Sequence, residues 1–129
     1  MVLVIDDDEF VRRSVEKRLL REEHTVLLAS NGARGVEVAI ESKPAVIFLD
    51  LRMPGESGLS VLAQLAASSV HASVIVMSGN GEVDEVIAAL RLGVVDYLKK
   101  PWTTVEFTAA LGRAIEVYHT LTETEPGGG

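Results

Sequence analysis

Five short, nearly solid apolar runs recur along the chain, at Val2 to Ile5, Val26 to Ala29, Ala45 to Leu49, Val74 to Met77 and Val94 to Leu98. A run of four or five apolar residues without polar alternation suits a strand covered on both faces, as in a parallel sheet. Between the runs the period changes to three and four. Val11, Val15 and Leu19 share a face, while Arg12, Arg13, Glu16 and Lys17 point elsewhere. Val36, Ala39 and Ile40 are spaced for a second helix behind a cap at Asn31, and Leu59, Leu62 and Ala66 mark a third. Val83, Val86, Ile87 and Leu90 mark a fourth. From about Thr103, a fifth carries Phe107, Leu111, Ala114, Ile115 and Tyr118 on one stripe, with Thr103 and Glu106 placed as a capping box. Strand and helix alternating five times predict an α/β fold, (βα)5, with a doubly wound parallel five-stranded sheet and helices on both sides. Right-handed crossovers leave few topologies, and the order 2-1-3-4-5 is the one expected.

At 129 residues the chain fits one domain with room for a core, and 47% hydrophobic against 24% charged is the balance of a folded protein. It has no cysteine, which excludes disulfides and thiolate metal sites and suits a reducing compartment. A formal charge of −7 argues against direct nucleic-acid binding by this domain, because duplex affinity comes largely from cationic side chains on phosphates. The apolar runs are too short to cross a bilayer. The run after Met1 lacks a basic leader and ends in aspartates, unlike a signal peptide. These features predict a soluble cytoplasmic domain with no membrane association. Beyond Tyr118 the chain turns polar and then glycine-rich, so a domain over 1–120 and a linker or tail over 121–129 are expected.

In doubly wound sheets ligands lie outside the carboxyl ends of the strands, near the switch in strand order. Here those ends carry Asp6, Asp7 and Asp8 after the first run, Asp50 after the third, Ser78 after the fourth, and Lys99-Lys100-Pro101 after the fifth. The predicted topology brings them to one edge. Crowded carboxylates repel one another unless a cation offsets them, and hard oxygen ligands suit Mg²⁺. A carboxylate beside such an ion can act as a nucleophile, a lysine can pair with phosphoryl oxygens, and a serine hydroxyl can hydrogen-bond them. An aspartate after a strand is more often a helix cap, and Asp8 has that role as the start of the first helix.

In these residues the chain resembles the receiver domain of two-component response regulators, from Val2 to roughly Tyr118. The motifs are "VLVIDDDEF", "VIFLDLRMPGESG", "VIVMSGNG" and "DYLKKPW", in the family's order and with similar spacing. The resemblance implies a flavodoxin-like fold with Asp50 as phosphoacceptor. It makes Asp7 a direct Mg²⁺ ligand, Asp6 a ligand acting largely through water, and Asp50 itself and the backbone carbonyl of Arg52 further ligands; Mn²⁺ can substitute. Ser78 and Tyr97 match the switch hydroxyl and aromatic, and Lys100 the phosphate-binding lysine before a proline whose peptide bond is often cis. Arg52 and Asn80 lie where the family tunes phosphoryl lifetime. The implied partners are a histidine kinase or phosphotransfer protein, an output domain or effector, and a second copy joined through the fourth helix, fifth strand and fifth helix. No organic cofactor is implied, and the domain is a signalling module rather than an enzyme turning over a separate substrate.

Two other readings compete. The Asp-x-Asp strand end also resembles haloacid-dehalogenase-type phosphatases, with Asp6 as nucleophile, Asp8 as general acid/base, Ser78 as the second motif and a lysine as the third. That family does not require Asp50, and there is no room for its cap domain. A phosphorylation-independent interaction module would usually lose the acceptor, an acidic-pair residue or the lysine. "GNGEVD" at 79–84 lacks the third glycine of a dinucleotide loop. "GESG" at 55–58 is one residue short of a nucleophile elbow and is expected to be a turn. His24, His71 and His119 have no ligand spacing, Lys99 should point away from the site, and Trp102 and Met53 are expected to pack.

Overall fold

Five parallel strands, β1 (Val2–Ile5), β2 (Val26–Ala29), β3 (Val46–Asp50), β4 (Ser73–Ser78) and β5 (Asp96–Lys99), form one sheet in the computed structural model, which describes residues 1–123. Their order is β2-β1-β3-β4-β5, as expected from the alternation in the sequence. The helices are α1 (Glu9–Arg21), α2 (Gly32–Ser42), α3 (Gly58–Ala67), α4 (Val83–Arg91) and α5 (Thr104–Glu123). Every residue of β1 and β3 is buried, which explains their lack of polar alternation. Successive strand residues face opposite layers. Leu3, Ile5, Ile47 and Leu49 pack with residues of α2, α3 and α4. Val2, Val4, Val46 and Phe48 pack with those of α1 and α5. Phe48 stacks on Phe107 of α5 with ring centroids 5.2 Å apart. Trp102 joins them 6.3 Å from Phe107, so its role is packing.

The helix starts behave as their sequences predict. Asn31 accepts from the Arg34 amide at 2.8 Å. Thr103 and Glu106 exchange side-chain and backbone hydrogen bonds at 3.1 and 3.0 Å. Three apolar faces differ from expectation. In α2 the inward residues are Gly35, Val38 and Ala39, and Ile40 is exposed. Gly35 backs directly onto Ile5, so the helix lies closer to the sheet there than a side chain would allow. In α3, Val61, Leu62 and Leu65 are buried while Ala66 faces solvent. In α4 only Val86 and Ala89 are buried; Val83, Ile87 and Leu90 are 67%, 42% and 43% exposed. These helices carry apolar residues on more than one side, so spacing alone does not select the side that packs on the sheet.

The fifth strand starts two residues later than its apolar run, because Val94 is used to close α4, its amide bonding the Ala89 carbonyl at 3.3 Å. The predicted turn after Asp50 is a two-residue antiparallel ribbon, Arg52–Met53 against Glu56–Ser57, closed by Gly55 at φ 78°. Its left-handed backbone suits glycine. The stretch expected to be a linker from 121 begins as helix, since α5 continues through Glu123; residues 124–129 lie outside the described residues. No helix among the described residues is long and apolar enough to cross a membrane.

Candidate functional site

The sheet delivers its charged strand ends to one edge. Asp50 is the last residue of β3 and is 4% exposed; Asp6 follows β1 and is fully buried; Asp7 beside it is exposed. One oxygen from each of these three carboxylates lies within 4.8 Å of the others. Lys100, just past β5, reaches both buried acids, its Nζ 3.2 Å from Asp6 Oδ2 and 3.5 Å from Asp50 Oδ2. The Lys100 amide donates to the Ser78 carbonyl at 2.7 Å, which fixes the lysine at the end of β4, and the Lys100-Pro101 bond is cis. Ser78 is buried at this edge. Lys99 points to solvent, as alternation along a strand requires.

Local hydrogen bonds hold the acids. Asp6 Oδ1 accepts from the Asp8 amide at 2.9 Å, and Asp50 Oδ1 from the Arg52 amide at 3.3 Å. Arg12 of α1 donates to the Asp6 carbonyl at 2.7 Å, a support that no sequence motif signals. Burial, and then the neighbouring Asp6 charge, push Asp50 up to about 7, against the lowering effects of Lys100 and the Arg52 amide. Burial alone would lower the Lys100 ammonium, but Asp6 and Asp50 together outweigh it and the net shift is upward.

With all three carboxylates ionised, one ammonium leaves a net excess of negative charge. Three hard oxygen donors, one of them open to water, fit a divalent cation of the Mg²⁺ type. None of the three histidines joins this group among the described residues. Asp8 stands outside it as well, accepting from the Phe10 and Val11 amides at 2.8 and 3.3 Å as the cap of α1. Asp8→Ala should therefore lower unfolding stability by about 1 kcal/mol in urea titrations. It should leave Mg²⁺ affinity within about threefold of the parent, since an exposed charge interacts weakly. A collapse of metal binding would make Asp8 a ligand.

Tyr97 is 47% exposed on the outer side of β5, and Asn80 is exposed in the loop after β4. The Arg52 side chain leaves the acidic cluster and pairs with two glutamates, its Nε 3.3 Å from Glu82 and its Nη2 2.7 Å from Glu85. Glu56 accepts from the Gly32 amide, tying the ribbon after Asp50 to the start of α2. Sequence reasoning missed Glu82 and Glu56 because their partners are 30 and 24 residues away.

A doubly wound sheet with two buried aspartates, an exposed third and a lysine at its carboxyl edge defines an α/β domain built around an acidic pocket. The chain belongs to the response regulator receiver domain family, whose sequence pattern matches residues 2–112. It is 38% identical over 119 residues to the transcriptional regulatory protein FixJ of Azorhizobium caulinodans, covering 89% of this chain and 56% of that protein. It is 39% identical over 108 residues to the transcriptional regulatory protein PrrA of Mycobacterium tuberculosis, covering 84% of this chain and 46% of that one. The chain thus spans about half the length of these curated relatives. Among solved structures, a response regulator receiver domain protein from Clostridium thermocellum superposes with a TM-score of 0.86 at 30% identity, over 93% of this chain and 97% of that one.

Proposed function

We propose that Asp50 accepts a phosphoryl group from a phosphohistidine of a kinase or phosphotransfer protein. An Asp50 carboxylate oxygen forms the new bond to phosphorus, the phosphorus–nitrogen bond breaks, and the imidazole leaves with the electron pair. The observation that carries this reading is the placement of Asp50: buried, at a strand end, and 3.5 Å from a lysine. Phosphoryl transfer depends on alignment and on neutralising charge more than on acid–base machinery. Lys100 would pair with the phosphoryl oxygens, Ser78 would hydrogen-bond them, and the Arg52 amide already orients the attacking carboxylate. Asp6, Asp7, Asp50 and the Arg52 carbonyl would hold Mg²⁺ or Mn²⁺. Bound there, the ion would keep Asp50 ionised and offset phosphoryl charge.

The new group brings about −1.5 to −2 charges to a buried edge. Ser78 would move towards it and Tyr97 would turn inward from its exposed position, changing the surface of α4, β5 and α5. Val83, Ile87 and Leu90, already exposed there, support that surface as the contact for an output domain, an effector or a second copy. Arg52 and Asn80 would set phosphoryl lifetime through access of water. The cytoplasm is the compartment this chemistry implies. A haloacid-dehalogenase reading is disfavoured because Asp8, its general acid/base, is engaged by the Phe10 and Val11 amides as the cap of α1.

Incubation with acetyl phosphate and Mg²⁺ should add one phosphoryl mass, which is lost on chelation of the metal and absent from Asp50→Asn. Uptake that survives in Asp50→Asn but fails in Asp6→Asn would instead support the phosphatase chemistry.

A further inference from the structure

We infer that Glu82 is a positioning residue that holds the unphosphorylated state by occupying polar donors beside Asp50, and that a phosphoryl group must displace it. This rests on Asp50 being the phosphoacceptor. In the sheet register Asp50 pairs with Met77, so Arg52 and Gly79 each lie two residues beyond the same rung. The Leu51 amide bonds the Met77 carbonyl at 3.0 Å, keeping the two loops together as they leave the edge. Glu82 bridges them: one carboxylate oxygen accepts from the Gly79 amide, next to Ser78, and the other lies 3.3 Å from Arg52 Nε.

Glu82 occupies the N-cap position of α4, where short polar side chains such as Asp accept from the first-turn amides. It makes no such bond. Its carboxylate is instead folded back and buried, 5% exposed, which costs free energy unless charge or hydrogen bonds compensate. Arg52 and the Gly79 amide are those compensations. Glu85 pairs with the same guanidinium from a more open position, its side chain 30% exposed against 6% for Glu82.

A phosphoryl group on Asp50 brings further negative charge to the edge where Glu82 already holds the Gly79 amide beside Ser78. Occupation of Asp50 and the Glu82 bridge therefore oppose each other. Release of Glu82 frees the loop 79–82 and the first turn of α4, which leads to the exposed Val83 and Ile87.

The test uses beryllofluoride with Mg²⁺ as a phosphoryl stand-in, applied to the parent, Glu82→Gln and Glu85→Gln. Glutamine keeps the shape and the acceptor for Gly79 and removes the charge. Beryllofluoride should bind Glu82→Gln about fivefold or more tightly than the parent, and Glu85→Gln within about twofold, because the exposed charge is screened. Hydrogen exchange in 79–86 should rise in the parent on binding and should already be raised in free Glu82→Gln. Equal or weaker binding by Glu82→Gln, or exchange that does not respond in the parent, overturns the assignment while acetyl phosphate labelling of Asp50 stands. Loss of that labelling in the parent overturns both the assignment and the receiver chemistry.

Discussion

Asp50→Asn should be more stable than the parent at pH 8 in the absence of metal. Burial and the Asp6 charge raise Asp50 from 3.8 to about 7. Between those values the folded state binds a proton that the unfolded chain releases, so stability falls as pH rises. The contribution of Asp50 is complete below the unfolded value and is lost on passing through about 7. That difference corresponds to at most about 4 kcal/mol. Asparagine retains the oxygen that accepts from the Arg52 amide and carries no charge to bury. Urea titrations at pH 8 in chelator should show Asp50→Asn ahead by up to about 4 kcal/mol, with the gap closing towards pH 4. Groups outside the cluster titrate alike in both proteins and cancel in the difference. Mg²⁺ should then stabilise the parent more than the variant, because it binds the folded carboxylates. A gap of opposite sign at pH 8, or one that does not close on acidification, would mean that Asp50 is not an ionised, unfavourably buried acid.

The sequence disclosed most where one physical demand dominated. β1 and β2 begin and end where their apolar runs do; β1 is wholly buried, whereas β2 is the half-buried edge of the sheet. Strand order followed from crossover handedness, and with it the meeting of Asp6, Asp50 and Lys100, residues far apart in the chain. Helix faces were less legible. In α4, Val83, Ile87 and Leu90 satisfy helical spacing as well as Val86 and Ala89 do, and only close packing on the sheet selects the second pair. The ion pairs of Arg52 were illegible for a different reason. A loop residue reaching an acid 30 positions away leaves no periodic trace, and neither Glu82 nor Glu85 belongs to the motifs that mark the strand ends.

Lys100→Met should separate the structural part of the site from its chemistry. Among the described residues, the ion pairs of Asp6 and Asp50 are both with Lys100. Its pKa is raised above the unfolded 10.5, so its stabilising contribution is fully present at neutral pH and is lost only above that value. Removing it leaves two buried carboxylates facing each other. Breaking a buried pair costs about 3–5 kcal/mol, but the lysine side chain is 27% exposed and Asp50 can take up a proton. A loss of about 2–3 kcal/mol at pH 8, shrinking at pH 5, is therefore expected. Mg²⁺ should restore most of that stability, because a divalent cation among the same oxygens answers the same repulsion. It should not restore phosphoryl uptake from acetyl phosphate, which should remain about 10²–10³-fold slower, the usual effect of removing one aligned charge from a transfer site. Lys100 is anchored on the β5 side of the cluster through the Ser78 carbonyl, a place that an ion held by Asp6 and Asp7 would not fill. Uptake at the parental rate in Lys100→Met would remove this lysine from the chemistry and leave it only the task of holding two acids together.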